Sequence, residues 1–251
     1  MRLRYTFLVT NQGLGAVTVF ENYALENKLA NLIPVVNPGL KGKSGIEAAL
    51  LYRMGAYSEI DSSNLVREAF ERLYDAPVPE SSDTIFNAFI QFMDFCRAKL
   101  ILQHKRIPRE KAEQYKLVYN NLSTIFCGYN ELKKLFERFF DLMYSFSNFM
   151  PVPRYFNGSE AHRGKGSAGL NKDYPSEYLK NLKDVNSGVY KREEIYQWLV
   201  GHMDEYRIKD MYSLEPPYPI DEYYGLDDSK LSSLKEYIIS AVDFIEKRFE
   251  D

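Results

Sequence analysis

The sequence predicts a mainly α protein, an irregular multi-helix bundle with a small N-terminal β-hairpin. Two observations carry this. From about residue 80 onward apolar side chains recur every three to four positions, the period of helices with one buried face. The first nine residues alternate instead, with Leu3, Tyr5, Phe7 and Val9 on one face and Arg4 and Thr6 on the other, the period of a half-buried strand. Turn residues at 11–15 and the apolar run 16–20 complete the expected hairpin.

Each later element is expected from its own pattern. Leu25, Leu29 and Leu32 repeat at helical spacing until Pro34, which stops the helix. Residues 44–58 carry Ile46, Ala49, Leu50 and Met54 on one face, and Asp61 or Ser62 can cap a short helix through Tyr74. The stretch 81–103 is apolar on nearly all sides, as a central buried helix is. Pro108 suits the first turn of the next helix, Gly128 interrupts it, and Asn130 can cap a further one with Leu132, Phe136, Phe139 and Met143 inward. Helices over 174–183, 191–208 and 228–249 follow. Residues 215–224, EPPYPIDEYY, must be extended because prolines 216, 217 and 219 forbid helix. One domain over 1–251 is expected; the alternative divides it at the breaker Pro77-Val78-Pro79 into 1–78 and 79–251.

Composition narrows the function classes. The 251 residues are 45% hydrophobic and 27% charged, ordinary for a globular chain, so disorder is not expected. The formal charge of −3 weighs against a dedicated nucleic-acid binder, which is basic across its domain. Twenty Tyr and 16 Phe beside one Trp suit a core with wet edges, an interface, or a surface that stacks on flat ligands. Cys96 and Cys127 sit in apolar helical windows and read as reduced core thiols, which together with the absence of a secretory or membrane-spanning pattern points to the cytoplasm.

Four segments offer chemistry. NPGLKGKSG (37–45) has the Gly42-Lys43-Ser44 ending of a phosphate-cradling loop before a helix, where backbone N–H groups, Lys43 and Ser44 would hold phosphate. Asn37 replaces its first glycine, and no acidic strand end follows to hold a metal. Lys43 and Ser44 are therefore expected to be a phosphate-binding look-alike that caps a helix. The irregular stretch 154–172 holds Arg154, Arg163, Lys165 and Lys172 against Glu160 alone, with glycines that allow close backbone approach. His162 there can move a proton near neutral pH. The run 97–116 is basic but diluted by Glu110 and Glu113, and reads as a solvated helix junction more readily than a nucleic-acid surface. His202 and Glu205 share a helix face, but two ligands do not make a metal site, and none is expected. No catalytic residue and no cofactor is nominated.

At SNFMPVP (147–153), with Phe156-Asn157, Arg163-Gly164 and the helix opening at Asp173, the chain resembles an uncharacterised bacterial domain family. That family carries an N-F/M-x-P-x-P core, an N-x-R/K-G stretch, and a helix that opens on Asp and aromatics. The resemblance carries over Asn148, Met150, Pro151, Pro153, Asn157, Arg163, Gly164 and Asp173, and departs at Ser147, where glycine is usual. It implies a bacterial or phage-related origin and no particular activity. With the composition, it leads to the expectation of a protein-interaction subunit of a defence or regulatory assembly, with a protein partner or a second copy and no membrane. The alternative is a nucleotide- or nucleic-acid-directed enzyme or sensor that binds through Asn148, Arg154, Asn157, His162, Arg163, Lys165 and Asp173.

Overall fold

Helical periodicity requires helices to pack on one another, and a computed structural model shows how. It describes residues 28–55, 60, 66, 67, 69–71, 81–153, 156, 174–220 and 226–250. Eight α-helices have both ends among these residues: α1 (Ile33–Val36), α2 (Gly45–Met54), α3 (Phe89–Leu102), α4 (Lys111–Ile125), α5 (Asn130–Met143), α6 (Pro175–Lys183), α7 (Arg192–Gly201) and α8 (Asp228–Lys247). The strands β1 (Ser81–Thr84) and β2 (Phe149–Val152) pair antiparallel, with Asp83 opposite Met150. The protein is thus mainly helical with a small sheet. The hairpin expected over 3–20 lies outside the described residues. The helix expected over 61–74 is represented by residues 66, 67 and 69–71, which are helical.

Helix α5 is the organising element. Its buried face (Leu132, Phe136, Phe139, Phe140 and Met143) meets α2 on one side and α8 on the other, while α4 packs on α2 and α3. Phe92 of α3 lies among these helices, with its ring centroid 5.2 Å from Phe136 and 5.1 Å from Phe140 in edge-to-face geometry. Phe95 and Phe126 continue the cluster at 5.3 Å. Each such pair contributes about 0.5–1.5 kcal/mol beyond the area it buries. The abundant phenylalanine seen in the composition therefore fills a continuous aromatic core.

Several boundaries differ from expectation. Pro34 begins a helix instead of ending one. Residues 28–32 form turns, Asn31 Oδ1 accepts from the Ile33 N–H at 3.0 Å, and the Leu32 N–H donates to Tyr144 O at 3.0 Å. Residues 81–84 are strand, and α3 starts only at Phe89. Asn148 holds Phe86, and Asn87 Oδ1 accepts from the Phe89 N–H at 2.9 Å, so residues 86–88 cannot coil into the helix. Pro108 stands before α4, where its carbonyl accepts from Gln114 Nε2 at 2.8 Å. Asn130 is the first helical residue of α5, and Tyr129 occupies the cap position. Gly128 separates α4 from α5 in the left-handed region, φ 80°, as its glycine suggested. The expected helix 191–208 ends as α7 at Gly201, and residues 215–220 carry no regular element. Cys96 is buried, and its burial pushes the thiol well up; Cys127 is exposed, so only one of the two thiols belongs to the core.

Among the described residues no helix is long and apolar enough to cross a membrane.

Candidate functional site

The Gly42-Lys43-Ser44 turn precedes a helix, as a phosphate loop would. Ser44 caps α2: its hydroxyl accepts from the Glu47 N–H at 3.4 Å, and the Ser44 N–H donates to Glu47 Oε2 at 3.3 Å. The Ile46 N–H of the same turn donates to Glu137 Oε2 of α5 at 2.9 Å. A carboxylate and a hydroxyl oxygen of the protein thus occupy the Ile46 and Glu47 N–H groups of the first turn, donors that an anion would use. Burial, and then the charge of Glu137, raise the carboxyl of Asp141, which abuts the same turn.

Asn148 is fully buried. Its Oδ1 accepts from the Phe86 N–H at 3.0 Å, and its Nδ2 donates to Phe86 O and Met143 O, both at 2.8 Å. Every polar atom of the side chain is engaged in joining the β1–α3 connection to the end of α5. Arg154, Asn157, His162, Arg163, Lys165 and Asp173 lie outside the described residues. The residues that flank them, Phe156 and Tyr174, are buried on an aromatic cluster, Phe156 against Tyr178 at 5.6 Å and Tyr174 against Tyr237 at 5.6 Å. In that cluster burial raises the Tyr178 phenol well above its ordinary value, with Tyr212 and Asp83 adding to it. Tyr178 and Tyr212 act on each other, yet neither hydroxyl closes a hydrogen bond of ordinary length. His202 caps the end of α7 in a three-ring cluster with Trp198 (4.3 Å) and Tyr206 (5.2 Å), whose own rings lie 5.6 Å apart, with Nδ1 2.7 Å from Trp198 O and Nε2 3.9 Å from Glu205. Its ring is a packed part of the α7 terminus. Among the described residues no three His, Cys, Asp or Glu side chains gather as metal ligands.

One open concavity among the described residues lies in the basic run. Helix α3 ends in a Schellman turn: the His104 N–H donates to Ile101 O at 2.8 Å and the Lys105 N–H to Leu100 O at 2.9 Å, with His104 at φ 59°. This turn throws residues 105–110 outward before α4 returns alongside α3. Gln114 fixes the return through Pro108 O, and its Oε1 accepts from Arg97 Nη1 at 3.4 Å; Arg97 is also paired with Asp94. Between the arms lies a groove of about 490 Å³. Its floor is Phe89, Ile90, Met93, Ile107, Pro108 and Tyr115. Phe89 and Tyr115 meet edge to face at 5.5 Å, and Arg53 of α2 lies 5.1 Å over the Phe89 ring. Ile90 is 53% exposed.

The rim is positive. Over 97–116 seven basic residues, Arg97, Lys99, Lys105, Arg106, Arg109, Lys111 and Lys116, outnumber Glu110 and Glu113 in a chain that is acidic as a whole. Arg109 and Lys111 line the groove, are exposed, and form no ion pair among the described residues. The basic run was visible in the sequence, but the floor was not. Its residues come from two helices and their connection, and Ile107-Pro108 within the charged run was the one local hint.

The chain matches no protein-family model, no curated protein and no solved structure.

Proposed function

We propose that this protein is a non-catalytic interaction protein that takes an acidic segment of a partner protein, carrying an aromatic or aliphatic anchor, into the α3–α4 groove. One observation carries the reading: an apolar floor framed by Arg109 and Lys111, exposed cations that form no ion pair among the described residues. Such a rim attracts and orients an acidic chain, while the affinity comes from an apolar side chain buried on the floor. The same geometry disfavours single-stranded nucleic acid as the occupant of this groove. Single-stranded nucleic acid is held by open aromatic faces on which bases stack. Here Phe89 is buried, with Arg53 over its ring and Tyr115 against it. A regulatory or defence assembly, of the bacterial or phage-related origin that the resemblance at 147–183 implies, would supply a partner of this kind.

Thermal unfolding with a panel of ligands tests the proposal. The panel contains an acidic tyrosine-bearing peptide, mononucleotides with and without Mg²⁺, single-stranded RNA and duplex DNA. A ligand at a hundred times its dissociation constant stabilises the fold by about 2.7 kcal/mol. The peptide is expected to give a shift that Arg109→Glu/Lys111→Glu abolishes and Lys43→Ala leaves intact. A shift from nucleotide or nucleic acid with none from peptide overturns the reading in favour of the nucleotide-directed alternative.

A further inference from the structure

The connection between α3 and α4 hangs from one side chain. Residues 105–110 form no regular element, and Lys105, Arg106, Arg109 and Glu110 are exposed. Among the described residues, the hydrogen bonds that reach the backbone of 106–109 all come from Gln114, whose Nε2 donates to Pro108 O at 2.8 Å and to Arg109 O at 3.4 Å. The other end of the same amide, Oε1, accepts from Arg97 Nη1 at 3.4 Å, and Arg97 is paired with Asp94 on α3. A side-chain amide has donors at one end and an acceptor at the other, so one glutamine can serve both sides of the groove. Gln114 thus ties α3, α4 and their connection together at the point where Arg109 leaves the chain. With Arg97 engaged in this way, the charge offered to a partner falls to Arg109 and Lys111.

We infer that Gln114 is the positioning residue of this groove: it holds Arg109 at the rim before binding, so that an acidic segment meets a cation already in place. This rests on the groove reading proposed above. Without the clamp, nothing but the half-buried Ile107 and Pro108 holds the connection down. Arg109 must then be ordered when the partner arrives, and that ordering is subtracted from the affinity.

Calorimetric titration of the acidic tyrosine-bearing peptide into the wild type, Gln114→Met, Arg109→Ala and the double variant tests this. Methionine keeps the reach of the side chain and removes both ends of the amide. Each single substitution is expected to weaken binding about tenfold. In the Gln114→Met background, Arg109→Ala is expected to weaken it by a further factor of about two or less, because Gln114 acts through Arg109. Two independent contributions would multiply instead. Trypsin reports the clamp without a ligand, since it cuts after Lys105, Arg106 and Arg109. Cleavage there is expected to be several-fold faster in Gln114→Met, and also in Gln114→Glu, which keeps an acceptor for Arg97 but cannot donate to the two carbonyls. Factors that multiply, or cleavage no faster in either variant than in the wild type, overturn the inference and leave the groove. Loss of cooperative unfolding in both Gln114 variants overturns it as well, because the clamp then serves the fold. A wild-type chain that binds no peptide removes the groove reading, and the inference with it.

Discussion

Gly45 begins α2 where its backbone touches that of α5. A Cβ at this position would run into the Glu137 carbonyl and come within 2.9 Å of Asp141 N, and neither backbone atom can swing aside. Gly45→Ala is therefore expected to cost about 1–3 kcal/mol, the range for overpacking a filled site, read as a lower denaturation midpoint. Asn148 is the polar counterpart. Truncation to alanine leaves the Phe86 N–H and the Phe86 and Met143 carbonyls without partners in a water-free interior. At 1–3 kcal/mol per stranded group, partly relieved by relaxation, a loss of about 3 kcal/mol is expected in chemical unfolding. Both positions belonged to motifs that suggested ligands, Gly42-Lys43-Ser44 and the Asn148-centred core. Sequence could point to the residues but not to their partners, because Glu137 lies 91 positions from Ile46 and Phe86 lies 62 from Asn148.

Helix ends show where local chemistry governs and where it yields. The Schellman turn after α3 places His104 in the left-handed region, which a side chain occupies only at a cost. His104→Gly is expected to stabilise the protein by about 1 kcal/mol in thermal melts. The last helix starts at Asp228 as expected: Asp227 caps α8, accepting from the Ser229 hydroxyl at 2.6 Å and the Lys230 N–H at 2.9 Å. The Ser229 hydrogen bond, then that from Lys230, hold the Asp227 carboxyl below its ordinary 3.8. A group depressed in the fold stabilises above its unfolded value, and the gain disappears as pH falls through the lowered one. Asp227→Ala should therefore lower the unfolding temperature at pH 7, and the gap to wild type should close as pH drops below 3.8. The start of α3 obeyed no such local rule. The helix expected from residue 81 does not form there: pairing with β2 makes 81–84 a strand, and the grip of Asn148 on Phe86 keeps the connection out of the helix.

For the whole molecule the governing fact is charge segregation: a basic corner at α3–α4 on an acidic chain that also carries a purely acidic strip at 215–228. Because Arg109 and Lys111 are exposed and take part in no ion pair among the described residues, reversing their charge should move the folding free energy by no more than about 0.5 kcal/mol. Matched urea titrations of the wild type and the Arg109→Glu/Lys111→Glu variant check this, and a larger loss would mean that the corner serves the fold instead of a partner. By itself the sequence determined the helical class, most helix positions and the basic run at 97–116. These rest on periodicity, composition and turn chemistry, which act between near neighbours in the chain. The tertiary structure decided that Ser44 and Asn148 close the fold, that residues 81–84 form a strand, and that Phe89, Met93, Ile107 and Tyr115 meet beneath a basic rim. Those outcomes depend on which distant backbone groups come within hydrogen-bonding or van der Waals range, and only the packing of α2, α3, α4 and α5 sets that.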